Sequence, residues 1–118
     1  MSLFENMNPN LLEKEAVMLR FMNNEKLWEK FAVKFLEDQT FQGLQGAMES
    51  RQKTRAFEEA HTLKGVAGNL GFQQLFGACS EIVEALRSDA EWSLVDEKWT
   101  GVQREYKRVT EDIEKNRN

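Results

Sequence analysis

The sequence holds one proline, one cysteine and one histidine in 118 residues, and each scarcity removes a class of protein. Cys79 has no second cysteine to pair with, so no internal disulfide can hold the fold. Its apolar helical surroundings predict a small buried side chain. One cysteine and one histidine are also too few to build a zinc site, so no metal is expected. Pro9 is the only proline, and no stretch rich in Pro, Gly or Ser is long enough for a linker. Residues 1–118 therefore read as a single domain, and 13.8 kDa suits one core. No apolar run exceeds a few residues, so neither a transmembrane helix nor a signal-peptide core is expected. Sixteen Lys and Arg stand against twenty Asp and Glu, for a formal net charge of -4. They are scattered, which gives neither the basic footprint of a nucleic-acid binder nor a polybasic membrane anchor. The glycines form no phosphate-binding loop after a strand, so no nucleotide site is expected. The expected compartment is the cytoplasm.

What the sequence does have is helical periodicity from about residue 8 onward. Asn8 and Pro9 resemble an N-cap and first helical residue, with Leu12, Ala16, Leu19 and Met22 following at helical spacing. After Asn23 and Asn24, a second helix is predicted from Leu27, Phe31 and Phe35, its stripe widened by Trp28 and Leu36. Phe41, Leu44 and Met48 after Thr40 give a short third helix despite Gly43 and Gly46. Thr54 is the predicted N-cap of a fourth, with Ala56, Ala60, Leu63, Ala67 and Leu70 on its core face and Gly71 ending it in a left-handed conformation. Phe72, Leu75, Phe76, Cys79, Ile82, Val83 and Leu86 form the broad stripe of a fifth helix packed on the fourth. Ser93 and Asp96 suggest a capping box opening a last helix of roughly 30 Å, with Val95, Trp99, Val102, Tyr106, Val109 and Ile113 spaced by four and three. Trp92 and Trp99 are expected to pack at the bundle edge. No segment alternates like a half-buried strand. The class is all-α, an antiparallel four-helix bundle with additional short N-terminal helix or helices.

On a wheel of about 100° per residue, His61, Lys64, Gly65 and Gly68 lie opposite the core face of the fourth helix. An isolated histidine there would ordinarily be a surface residue. Its neighbours argue for more, because glycine in a helix interior costs about 1 kcal/mol, so Gly65 and Gly68 together give up roughly 2 kcal/mol on an exposed face. A helix face reduced to backbone permits close approach by another protein, and Lys64 adds positive charge where an anionic group could sit. A neutral imidazole is nucleophilic near pH 7, so His61 can accept a phosphoryl group and surrender it later. One lysine and no carboxylate cluster leave the rest of the transfer machinery to a partner. Phe57, one turn before His61, either flanks a docking surface or belongs partly to the core.

The stretch Ala60-His61-Thr62-Leu63-Lys64-Gly65-Val66-Ala67-Gly68-Asn69-Leu70-Gly71 resembles the signature of histidine-containing phosphotransfer (HPt) domains of two-component phosphorelays. The likeness is strongest over about residues 54–87 and diffuse across nearly all the rest. It implies that His61 is phosphorylated, that Lys64 assists the phosphoryl group, and that Gly65 and Gly68 clear room for a receiver domain. It also implies response-regulator receivers and a sensor histidine kinase as partners, with Mg2+ belonging to the receiver and no cofactor in this chain. Several family members place a glutamine on the following helix where it can hydrogen-bond the imidazole. The corresponding position here looks like Val83, which cannot, so what orients the ring is left open.

Other readings compete with a relay carrier. One is the histidine domain of a chemotaxis-type kinase, phosphorylated by an ATP-binding partner, which a receiver-exchange assay would separate. Another is a structural interaction bundle with an incidental histidine, against which the exposed glycines argue. An enzyme acting alone lacks parts, and a dimerising kinase helix lacks a following ATPase domain. The chain is expected to be a phosphocarrier and not a catalyst in its own right. The initiating methionine favours a separate chain, and the stripe on the last helix is explained by packing within a monomer.

Overall fold

A computed structural model describes residues 2–117, which contain helices and no strand. In chain order the helices are α1 (Leu3–Asn6), α2 (Lys14–Arg20), α3 (Glu25–Phe35), α4 (Thr40–Glu49), α5 (Lys53–Leu70), α6 (Gln73–Arg87) and α7 (Trp92–Asn116). Short connections force α4, α5, α6 and α7 to run antiparallel to their chain neighbours. α5 packs between α4 and α6, and α6 also packs on α7. The bundle is closed where α4 meets α7, by Phe41 stacked on Tyr106 with centroids 3.8 Å apart and on Trp99 at 5.2 Å. α1, α2 and α3 complete the all-α architecture before the bundle begins.

The core faces of α5 and α6 are those the periodicity predicts, except that Phe76 of the α6 stripe is exposed. Ala56, Ala60, Leu63, Ala67 and Leu70 are buried, as are Phe72, Leu75, Cys79, Ile82, Val83 and Leu86. The alanines let neighbouring helices approach α5 closely, while larger side chains from α6 fill the space between layers. On α7, Val95, Val102, Val109 and Ile113 are buried, with Trp99 and Tyr106 packed at the margin. Trp92, also at the edge, lies beneath the Arg51 guanidinium at 4.7 Å.

Several expectations are corrected. Asn8 and Pro9 do not open a helix: the Asn8 side chain accepts from Asn10 N at 2.8 Å and its carbonyl from Leu11 and Leu12 N, making a turn between α1 and α2. α2 is then ended by Met22 and Asn23, both at positive φ, which leaves Leu19 and Met22 exposed and off the core. α3 is rotated by about one residue from the predicted stripe: Trp28, Ala32 and Phe35 are buried, and Phe31 is exposed. The buried indole Nε1–H of Trp28 donates to the Leu70 carbonyl at 2.9 Å, and its ring meets Phe4 and Phe72 edge-on, which fixes that rotation. The N-caps also shift. α5 is preceded by Gln52, not Thr54, and α7 by Glu91, with Ser93 inside the helix and the Asp96 carboxylate taken by Arg51 at 2.7 Å. With 25 residues, α7 is about 37 Å long, longer than expected.

Candidate functional site

The exposed face of α5 carries His61, Thr62 and Gly65, with Phe57, Lys64 and Gly68 half-covered along the side that meets α6. Among the described residues no hydrogen bond or ion pair engages the His61 imidazole; its aromatic neighbour is Phe57, with ring centroids 5.9 Å apart and planes at 37°. Thr62 turns its hydroxyl back to the Glu58 carbonyl at 3.0 Å and is satisfied within its own helix. The imidazole therefore stands exposed on α5, with neither ring nitrogen bonded among the described residues.

Lys64 follows one turn later. Its Nζ lies 5.6 Å from the centre of the Phe76 ring, and among the described residues no carboxylate pairs with it. A cation held against an aromatic face and left without a counter-ion is a ready partner for an incoming anion. The buried Cys79 thiol lies close enough to feel that charge: burial pushes its pKa up to about 12, against a smaller downward pull from Lys64.

The two glycines differ. A β-carbon at Gly65 would meet nothing within 4 Å, so this position opens directly to solvent beside His61. At Gly68 a β-carbon would sit 2.9 Å from Phe76 Cδ1, so the missing side chain is replaced by an aromatic ring from α6. Phe76, read from sequence as core, is 39% exposed. It covers Gly68, supports Lys64 and adds apolar surface to the site. The signal in the sequence was the pairing of a glycine on one helix with a large residue on its neighbour, which periodicity alone does not reveal.

Two arginines also border this face. The Arg87 guanidinium lies 5.7 Å from the Phe57 ring centre and pairs with Glu84 at 2.6 Å. Arg20, on α2, donates to the carbonyls of Gly68 and Asn69 at 2.9 and 2.7 Å, beside a cleft of about 330 Å³ that Phe76 and Gln73 also line. Val83 is buried and apolar, so it offers the imidazole no hydrogen bond. Among the described residues, no three His, Cys, Asp or Glu side chains gather where they could hold a metal ion.

One face of α5 thus presents, among the described residues, an unpaired histidine, a cation and an open glycine. The protein-family model for the Hpt domain matches residues 32–115. The chain belongs to the Hpt-domain family. The matched segment runs from within α3 to the last turn of α7, so it holds the whole four-helix bundle and every residue of the site named above except Arg20. α1 and α2 precede it. Searches of curated proteins and of solved structures returned no match. Hpt domains are phosphocarrier modules of phosphorelays, and membership implies interaction with receiver domains and kinases. No helix among the described residues is long and apolar enough to cross a membrane.

Proposed function

We propose that this Hpt domain carries a phosphoryl group on His61 between the aspartates of receiver domains, within a relay that begins at a sensor histidine kinase. In the forward step a nitrogen lone pair of the neutral imidazole attacks the phosphorus of a receiver's aspartyl phosphate. The P–N bond forms as the P–O bond to the aspartate breaks, releasing a carboxylate, and the other ring nitrogen can yield its proton to solvent. The return step reverses these changes onto a second receiver. Lys64 offsets charge on the transferred group. Magnesium belongs to the acidic site of the receiver in this reading.

Gly65 supplies the gap through which the receiver approaches. Gly68 acts indirectly, by leaving room for the Cδ1–Cε1 edge of Phe76 against α5, so that the exposed part of that ring is offered to the partner. Phe57 marks the opposite end of the contact surface. The observation that carries the reading is an exposed, unbonded histidine one turn from an unpaired lysine and an open glycine, within a chain of the Hpt family. A monomer fits it, because the apolar stripe of α7 is already consumed inside the bundle.

The test is incubation with receiver domains charged by acetyl phosphate, followed by intact-mass analysis at neutral pH. One acid-labile phosphoryl group on the wild type, lost in His61→Gln, is expected. Absence of transfer from a broad receiver panel, or label persisting in the variant, would return His61 to an ordinary surface residue.

A further inference from the structure

The imidazole must be held so that a nitrogen points at the phosphorus, yet among the described residues no polar group does that work. On α6, the Ser80 hydroxyl donates to the Phe76 carbonyl at 2.9 Å, Glu84 accepts from Arg87, and Val83 is buried. None of them bonds His61. What packs beside the ring is Phe57, four residues earlier on the same helix, with centroids 5.9 Å apart. Helical side chains lean toward the N-terminus, so a ring at position i+4 falls back over the side chain at position i. Phe57 is itself fixed: it is half-buried against the core, and the Arg87 guanidinium sits over its ring.

We infer that Phe57 is the positioning residue of His61, orienting the imidazole by ring contact where no hydrogen bond does so, with Arg87 and Glu84 bracing Phe57 from α6. This deepens the proposed function and rests on it for its kinetic consequence, but the ring contact has a readout of its own. The arrangement restricts the imidazole's rotation while leaving the exposed ring free of hydrogen bonds among the described residues. Orientation of a reacting atom is worth large factors in rate, since misplacement by about 1 Å can cost a hundredfold.

Three variants test it: Phe57→Leu, which keeps apolar bulk and removes the ring; Phe57→Tyr, which restores a ring; and Arg87→Ala, which removes the brace at an exposed position. The first readout is the NMR shift of the His61 ring protons, which senses the neighbouring aromatic current without any phosphorylation. The second is the rate of His61 labelling by phosphoramidate, a small donor that needs no docking. The third is receiver transfer, separated into its saturated rate and its half-saturating concentration. Phe57→Leu should move the ring-proton shifts toward those of a free histidine and lower both the phosphoramidate rate and the saturated transfer rate by about tenfold. Phe57→Tyr should restore all three, and Arg87→Ala should change them in the same direction by less. Unchanged His61 shifts in Phe57→Leu, or a loss confined to the half-saturating concentration, would overturn the inference, the latter by placing Phe57 in the docking surface alone. If wild-type His61 takes no phosphoryl group from any donor, the functional reading fails, while the shifts still decide the contact.

Discussion

Replacing Gly65 by alanine should make the protein more stable and a poorer relay component. The added β-carbon meets nothing within 4 Å, so there is no steric term against it. The gain is the removal of glycine's backbone entropy from the interior of an 18-residue helix, about 1 kcal/mol. For a chain of 118 residues that corresponds to a rise in Tm of roughly 4 °C. Gly68→Ala is the internal control. The same propensity gain is opposed there by a contact 2.9 Å from the Phe76 ring, which must swing away from α5 and from Lys64. Its net change should lie within about 1 kcal/mol of zero. Urea denaturation gives the stabilities, and phosphotransfer from a charged receiver gives the function. Gly65→Ala should slow transfer from a receiver, and the bulkier Gly65→Gln should slow it further. Labelling of His61 by phosphoramidate should be unaffected in both, because a small donor needs no gap. Full receiver transfer by Gly65→Gln would refute the reasoning, since it would show that the open position is not where the partner approaches.

Two further outcomes follow from positions around the site. Gly71 adopts a φ of +81°, and a β-carbon there would run into the Val17 side chain and approach Leu12 Cδ1 at 3.3 Å. Gly71→Ala combines left-handed strain with overpacking and should lose about 3 kcal/mol in urea denaturation, and a loss under 1 kcal/mol would show that the α2 contact is loose. Burial pushes the Cys79 thiol from its ordinary value of 9.0 up to about 12, so above pH 9 the unfolded chain releases a proton that the folded chain keeps. Stability is thus fully present below pH 9 and is lost as pH rises toward 12, by about 1 kcal/mol per unit. Cys79→Ala should flatten that part of the wild-type curve, and native Cys79 should resist iodoacetamide at pH 8 until denaturant is added.

Where a helix packs by one uninterrupted stripe, the sequence was enough. α5 and α6 bury the residues that periodicity selects, Phe76 excepted, and the same wheel that put Ala60 and Leu63 inward put His61 outward. The N-terminal region resisted such reading because its geometry is set by distant partners. The backbone N–H of Glu13 donates to the Gly71 carbonyl at 2.9 Å, and the rotation of α3 follows the bond from Trp28 to Leu70. Neither bond has a local pattern. Leu27, Phe31 and Phe35 form as good a stripe as Trp28, Ala32 and Phe35, and only the carbonyl awaiting the indole decides between them. The division of labour between Gly65 and Gly68 was hidden for a related reason: which of the two faces α6 depends on how the two helices are rotated against each other.

The end of α5 explains how the helix tolerates two interior glycines beside His61. A helix leaves its last four carbonyls without partners, and here they are all satisfied. Phe72 N donates to Ala67 O at 2.9 Å and Gly71 N to Gly68 O at 3.3 Å, the paired bonds of a Schellman turn made possible by Gly71. Arg20 adds bonds to Gly68 O and Asn69 O, and Trp28 bonds to Leu70 O. Gly65 and Gly68 cost roughly 2 kcal/mol between them, and a net hydrogen bond contributes about 1 kcal/mol, so the three side-chain bonds at this end are of the size needed to offset the glycines. Two of them come from Arg20 on α2, before the matched Hpt segment, and the third from Trp28 in the early part of α3. The N-terminal helices thus secure the C-terminal turn of α5 while His61, two turns away, stays uncovered, which lets the site keep an open backbone without the helix fraying beneath it.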